Sequence, residues 1–365
     1  MKKLSLALLL ISLLASCATR EEKMQKNFNV AWSDYFEREF NQTGSVDVFV
    51  ITNRKPKDNT FTCSDDQFGA SVGDVVQYGI CQINVPKNHT IGEIELAKDA
   101  RQSSQNYFKI LGAKPLPKAD LIDAIKKIKR TPLVFVHGFN VRYQEAVLRA
   151  AQIAYDLKYQ GPIVLFTWPA GSGDAFLDDK MLNKTYADNT ATAKASVETF
   201  KNFLLDLQKN DIKVNLAVHS MGHQVVLPAL KNLAQANPKK TFINKLILNA
   251  PDFEVGEFRS FSKNLTKVSD QVTLYCSQND KAMVASKTFN KNERLGACAI
   301  INDNNIDVIN VGLIDDSALG LGHGYYSSRA ILGDVFQNLL GLGPDKRLFI
   351  VRSEPNSPQK YLLRK

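Results

Sequence analysis

Residues 214–223, Val-Asn-Leu-Ala-Val-His-Ser-Met-Gly-His, decide how the rest of this chain is read. Val214–Val218 is apolar and β-branched, the pattern of a short buried strand. Gly222–Ala236 repeats apolar residues at helical spacing. A strand that passes directly into a helix leaves Ser220 on a turn so tight that its backbone is strained. The residues two positions away on either side must then be small. Gly222 meets that demand. Val218 does not, which implies a relaxed turn or a wider strand-to-helix angle.

Working outward, strands are expected at Val46–Thr52, Val75–Val85, Pro132–Val136, Pro162–Thr167, Thr241–Asn249, Gln271–Cys276 and Ile306–Val311. Between them lie helical stripes at Tyr143–Leu157, Ala193–Leu207 and Tyr325–Leu340. Short apolar strands alternating with amphipathic helices read as an α/β fold. Its sheet is mostly parallel with helices on both faces. The first strands lack helices of good pattern between them, so the N-terminal edge is expected to be antiparallel. The 365 residues then hold one large domain, 46–342, rather than two. Residues 169–189 lack a clean period and would overhang the C-terminal strand ends as a lid or pocket rim. Residues 343–365 read as a peripheral basic tail. The composition, 44% hydrophobic and 23% charged, excludes disordered and collagen-like classes.

Four elements carry chemistry. Ser220 is the candidate nucleophile. His137-Gly138-Phe139 follows the strand PLVFV, and Gly138 lets that loop bend without a Cβ in the way. By position, the backbone N–H groups of Phe139 and Met221 would hold an oxyanion. The His137 side chain reads as a hydrogen-bonded loop residue. Of the five histidines, His89 lies in a polar loop, His137 and His219 belong to the two motifs, and His223 points along a helix. Elimination and chain position leave His323, in a glycine-flanked loop, as general base. The orienting acid should follow a strand beyond the serine turn. Asp280, after QVTLYC, fits the order Ser220…Asp280…His323. Asp252, after the preceding strand, is its rival.

Together these segments resemble a bacterial α/β-hydrolase family long catalogued as a domain of unknown function. The likeness runs through ITNRKP (51–56), YGICQINVPKNHTIGEIE (78–95), FVHGFNVRYQEAVLRAAQIAYDL (135–157), FTWPAGS (166–172), AVHSMG (217–222), LNAPDFEVGEF (248–258), CSQNDKA (276–282) and GHGYY (322–326). It implies the hydrolase fold and a Ser-Asp-His triad on Ser220, Asp280 and His323.

The chain's beginning sets its expected location. Lys2 and Lys3 precede an apolar run, Leu4–Leu14, too short to span a bilayer. The run ends in Leu14-Ala15-Ser16-Cys17, which resembles the lipobox of bacterial lipoproteins, with a plain secretory signal as the alternative. The resemblance implies removal of residues 1–16 and acylation of Cys17. Residues 17–45 would form a tether with an amphipathic helix near 27–40, either docked on the domain or lying on the bilayer. Ala18 favours the outer membrane of a bacterial cell envelope. Cys63, Cys81, Cys276 and Cys298 remain, and of three possible pairings the nearest-neighbour one, Cys63–Cys81 and Cys276–Cys298, is expected. Two of the nine surplus positive charges leave with the signal, and the rest form no aromatic-interleaved patch, so nucleic acid is not an expected partner.

No phosphate-cradling G-x-x-x-x-G-K-[ST], C-x-x-C or H-E-x-x-H run occurs. No cofactor and no metal is therefore expected. The function expected is a membrane-anchored serine hydrolase acting on a small-molecule or lipid ester, a thioester or an amide. The alternatives are a degenerate hydrolase fold used as an envelope binding module, and a lipase on membrane lipids.

Overall fold

Three strands in the middle of the chain have no polar face: β4 (Leu133–Val136), β5 (Ile163–Thr167) and β6 (Val214–His219) are buried at every position. Such strands are stable only where helices cover both sides of the sheet. In the computed structural model, which describes residues 26–28, 30, 44–97, 103–171, 179–236, 241–314, 323–354 and 357–364, they form the centre of an 11-stranded sheet.

On one side of this centre lie β1 (Ser45–Pro56), β2 (Phe68–Asn84) and β3 (Lys109–Pro115). On the other lie β7 (Ile243–Asn249), β8 (Ser269–Cys276), β9 (Ile306–Asn310), β11 (Tyr361–Leu363) and β10 (Ile350–Arg352). The order is β10-β11-β9-β8-β7-β6-β4-β5-β1-β2-β3. β1 runs parallel to β5, while β1, β2 and β3 pair antiparallel, as the helix-poor N-terminal sequence implies.

Alternating side chains feed two cores. Val134 and Val136 face one, with α1 (Lys118–Lys127), α3 (Asp179–Lys209), α4 (His223–Ala236) and α5 (Val255–Phe261). Leu133 and Phe135 face the other, with α2 (Tyr143–Asp156) and α7 (Arg329–Leu339). The two expected disulfides, Cys63–Cys81 and Cys276–Cys298, are both present.

The structure differs from the sequence reading in three places. Residues 343–365 are not peripheral, because β10 and β11 extend the sheet and Ile350, Tyr361 and Leu363 are buried. The Arg347 guanidinium there is also buried, 3.0 Å from Asp334. The irregular reading of 169–189 gives way to helix from Asp179 onward, the first turns of α3. β3 and α1 were not expected at all. The signal, Cys17, most of the tether and residues 172–178 lie outside the described residues. Residues 26–28 and 30 are helical, and Phe28 packs against the α2–α7 core.

His89, read as a loop histidine, bridges two carboxylates: Glu95 at 2.9 Å from Nδ1 and Asp156 of α2 at 2.8 Å from Nε2. Burial alone would lower its pKa, but the hydrogen bonds and charges of Asp156 and Glu95 outweigh that and raise it. A raised folded pKa means stability that is complete below the unfolded value of about 6.5 and is lost as pH rises through the folded value. Urea unfolding of wild type and His89→Gln across the neutral range should therefore show the wild-type advantage shrinking with rising pH. A difference that does not change with pH would refute this.

Candidate active site

β6 ends at His219, and α4 begins at His223, so Ser220–Gly222 turn the chain within one 3₁₀ turn. Ser220 has φ 52°, left-handed backbone that costs a non-glycine residue on the order of 1–2 kcal/mol. Its surroundings hold it there. The Ser220 carbonyl accepts from the Asp252 amide at 3.2 Å and from His223 Nδ1 at 2.7 Å. A Cβ on Gly222 would lie 2.5 Å from the His137 carbonyl oxygen, so that position admits only glycine without a shift. Val218 does not relax the turn. Its side chain is buried in the strand, in register with Val136 of β4 and Leu248 of β7.

Ser220 Oγ lies 2.6 Å from His323 Nε2, and His323 Nδ1 lies 2.7 Å from Asp280 Oδ2. The three come from the ends of β6, β8 and β9, so the sheet and not local sequence brings them together. Asp280 also caps α6 (Lys281–Asn290), its Oδ1 accepting from the Met283 amide at 3.1 Å. Both its oxygens are thus committed, one to the helix and one to the imidazole. With Ser220 Oγ–H donating to Nε2, the imidazole is neutral and carries its proton on Nδ1. His323 keeps 18% of its side chain exposed, so solvent reaches the ring.

Asp252, the rival acid, is engaged elsewhere. Its carboxylate accepts from Tyr186 and Ser286 and lies 3.3 Å from Arg294 Nε. His89 is remote in the Glu95–Asp156 bridge. His223 is buried and held neutral, its pKa lowered by burial to about 3. His137 is likewise lowered to about 3, by burial first and then by the Arg54 charge. Neither takes up a proton readily at neutral pH.

The loop after β4 runs against the serine turn. A Cβ on Gly138 would lie 2.7 Å from Ser220 Cβ and 2.9 Å from His219 Nδ1. Among the described residues, the Phe139 amide has no hydrogen-bond acceptor. Next along, Asn140 at φ 52° donates its amide to Asn189 of α3 at 3.0 Å, and the Phe139 ring packs on Tyr186 at 5.8 Å. The described part of 169–189 therefore does border this loop.

Sequence reasoning missed what holds His323. The His219 ring stacks on Tyr326 at 3.7 Å, and its Nε2 lies 3.2 Å from the His323 carbonyl oxygen. Among the described residues His219 Nδ1 has no partner, and the His323 carbonyl can only accept, which makes Nε2–H the donor. Burial first, then the neighbouring His323, push its pKa well below the usual value, so it stays a neutral anchor. Tyr326 stands inside the GHGYY segment, but nothing in the spacing indicates the stack.

A doubly covered, mostly parallel sheet with a strained serine turn at the end of a central strand, and acid and histidine after later strands, defines an α/β-hydrolase. The chain belongs to the family described as "Alpha/beta hydrolase of unknown function (DUF900)", whose model matches residues 116–341, more than half of the chain. The match takes in Phe135–Leu157, the serine turn, Asp280 and His323, and it begins after ITNRKP. No curated protein and no solved structure matches.

The tight contact at Gly138 is directly testable. Gly138→Ala should lower stability in urea unfolding by about 1–3 kcal/mol, the usual cost of overpacking. A variant as stable as wild type would show that loop and turn do not pack this closely.

Proposed function

We propose that the protein is a serine hydrolase that cleaves a carboxylic ester, thioester or amide through an acyl-enzyme. The observation that carries this reading is the unbroken hydrogen-bonded chain Ser220–His323–Asp280 beside the loop of Phe139, whose amide has no acceptor of its own among the described residues, and next to the amide of Met221. Ser220 Oγ attacks the substrate carbonyl carbon as His323 Nε2 takes the hydroxyl proton. Asp280 holds the imidazole in the required tautomer and stabilises the imidazolium. The two amides receive the negative charge that develops on the carbonyl oxygen, a donor role worth about 2.7–4 kcal/mol each in comparable sites. The proton passes from His323 to the leaving alcohol, thiol or amine as the carbonyl–heteroatom bond breaks. Water then attacks the acyl-enzyme with His323 again as base, which releases the acid and restores Ser220.

The binding-module alternative drew on Val218, and the strained φ of Ser220 weighs against a degenerate turn. A fluorophosphonate probe should label the wild type and not Ser220→Ala. Asp280→Asn, which keeps a side-chain oxygen for the α6 cap, should lower kcat by about 10⁴, the loss found when such an acid is neutralised. Equal labelling of wild type and Ser220→Ala would exclude the mechanism.

The lipobox-like LASC at 14–17 supports acylation at Cys17 and an outer-membrane envelope location. Several acyl chains anchor stably where a single one does not. Replacing Cys17 with Ser should move the chain from the membrane fraction to the soluble fraction. Retention in the membrane would remove the anchor.

A further inference from the structure

Arg54, near the end of β1, is 1% exposed, yet among the described residues no carboxylate lies within 4.0 Å of its guanidinium. Asp65 and Glu145 act on it only from farther off, and a buried cation with no direct ion pair is expensive, so its setting calls for a reason. Its side-chain contacts run to β2, to the loop after β4 and to the end of β5 and beyond. Nη1 donates to the Gly69 and Ala170 carbonyls at 3.0 and 2.7 Å, and Nη2 donates to the Val141 carbonyl at 2.9 Å. Nη2 also lies 3.5 Å from His137 Nε2. Nε donates to Thr167 Oγ1 at 3.0 Å.

From Thr167 the bonds run in one direction only. Arg54 has no acceptor to offer, so Thr167 Oγ1 accepts from it; because the Gly138 carbonyl can only accept from His137 Nδ1, Nε2 of the neutral ring takes the Thr167 hydroxyl proton, 2.9 Å away. With Nε2 accepting, the neutral His137 ring carries its proton on Nδ1, which donates to the Gly138 carbonyl oxygen at 3.0 Å. That carbonyl belongs to the peptide whose other end is the Phe139 N–H. In a trans peptide the N–H points away from the carbonyl. Holding the Gly138 oxygen on the His137 side therefore fixes the direction of the Phe139 N–H. Trp168 closes the cradle, its ring stacked on His137 at 5.3 Å and its Nε1 donating to the His137 carbonyl at 3.0 Å.

We infer that Arg54, Thr167 and His137 form a one-way hydrogen-bond relay that aims and polarises the Phe139 amide as an oxyanion donor. The inference rests on the hydrolase reading above and deepens it. All three are positioning residues, since none is placed to touch the substrate. The cation at the start of the relay strengthens each following bond, because bonds in a chain polarise one another in a low-dielectric interior. The low pKa of His137 fits: its protonation would break the bond from Thr167 and place a second charge beside Arg54.

Two readouts test the relay. The first is the rate of fluorophosphonate labelling at Ser220, with kcat and KM for a simple ester, in Thr167→Val, Thr167→Ser and Arg54→Met. Thr167→Val keeps the shape and removes the relaying hydroxyl, and Thr167→Ser restores it. The expected result for Thr167→Val and Arg54→Met is a labelling rate and kcat lower by about tenfold up to the roughly 10²–10³-fold that loss of a whole donor costs. KM should stay unchanged, and Thr167→Ser should remain near wild type. The second readout is nitrogen NMR of ¹⁵N-histidine-labelled wild-type protein, in which the His137 proton should sit on Nδ1, facing the Gly138 carbonyl, and not on Nε2. Folded Thr167→Val with wild-type labelling, or wild-type protein with the His137 proton on Nε2, overturns the relay. So does equal slowing in the Val and Ser variants, because loss of packing would then be the cause. Wild-type protein that fails to label at Ser220 refutes the hydrolase reading instead, and the relay is then decided by the His137 tautomer alone.

Discussion

In the parallel ladder between β4 and β6, Val136 sits opposite Val218, and everything at the site follows from that register. The two chains leave the sheet side by side, so His137-Gly138 and His219-Ser220 emerge as neighbours. Both strands are buried at every position, which makes the register hard to change: a slip by one residue would turn each apolar side chain to the opposite core. The missing Cβ atoms at Gly138 and Gly222 then allow the two turns to interlock at contact distance. A strained serine persists because its surroundings leave it no roomier alternative.

The remaining two members arrive from farther along the sheet. β8 delivers Asp280 and β9 precedes the loop that delivers His323, with Cys276 and Asn310 paired at the ends of those strands. Neither residue would meet Ser220 by local folding. Asp280 is fixed as the cap of α6, and His323 is fixed through its backbone by the His219 ring on Tyr326. The residue beside Ser220 thus serves as the foothold for His323.

What could be read from the sequence follows a physical divide. Central strands and their helices announce themselves because two-sided burial forces long apolar runs. The order of Ser220, Asp280 and His323 was legible because each follows such a run. β3, with the sequence KILGAKP, is a half-exposed edge and carries no such pattern. β10 and β11 are three residues each, too short to show alternation, so a stretch rich in Lys and Arg looked like a tail. Val218 misled because the small-residue rule looks only along the chain, whereas its side chain is accommodated by the neighbouring strands. His89, Arg54 and His219 owe their roles to partners 67, 113 and 104 residues away, and no local pattern records such distances.

The Cys276–Cys298 bond gives the three site residues unequal permanence. It closes a ring that contains Asp280 and the whole of α6, so the acid remains covalently leashed to the end of β8 even when the surrounding loops breathe. Nothing comparable restrains His323, which depends on its contacts with Asp280, Ser220 and His219. The serine turn, deep between β4 and β7, depends on neither. Reduction would therefore reach this site selectively: opening the ring frees Asp280 from its leash while Ser220 stays held between β4 and β7.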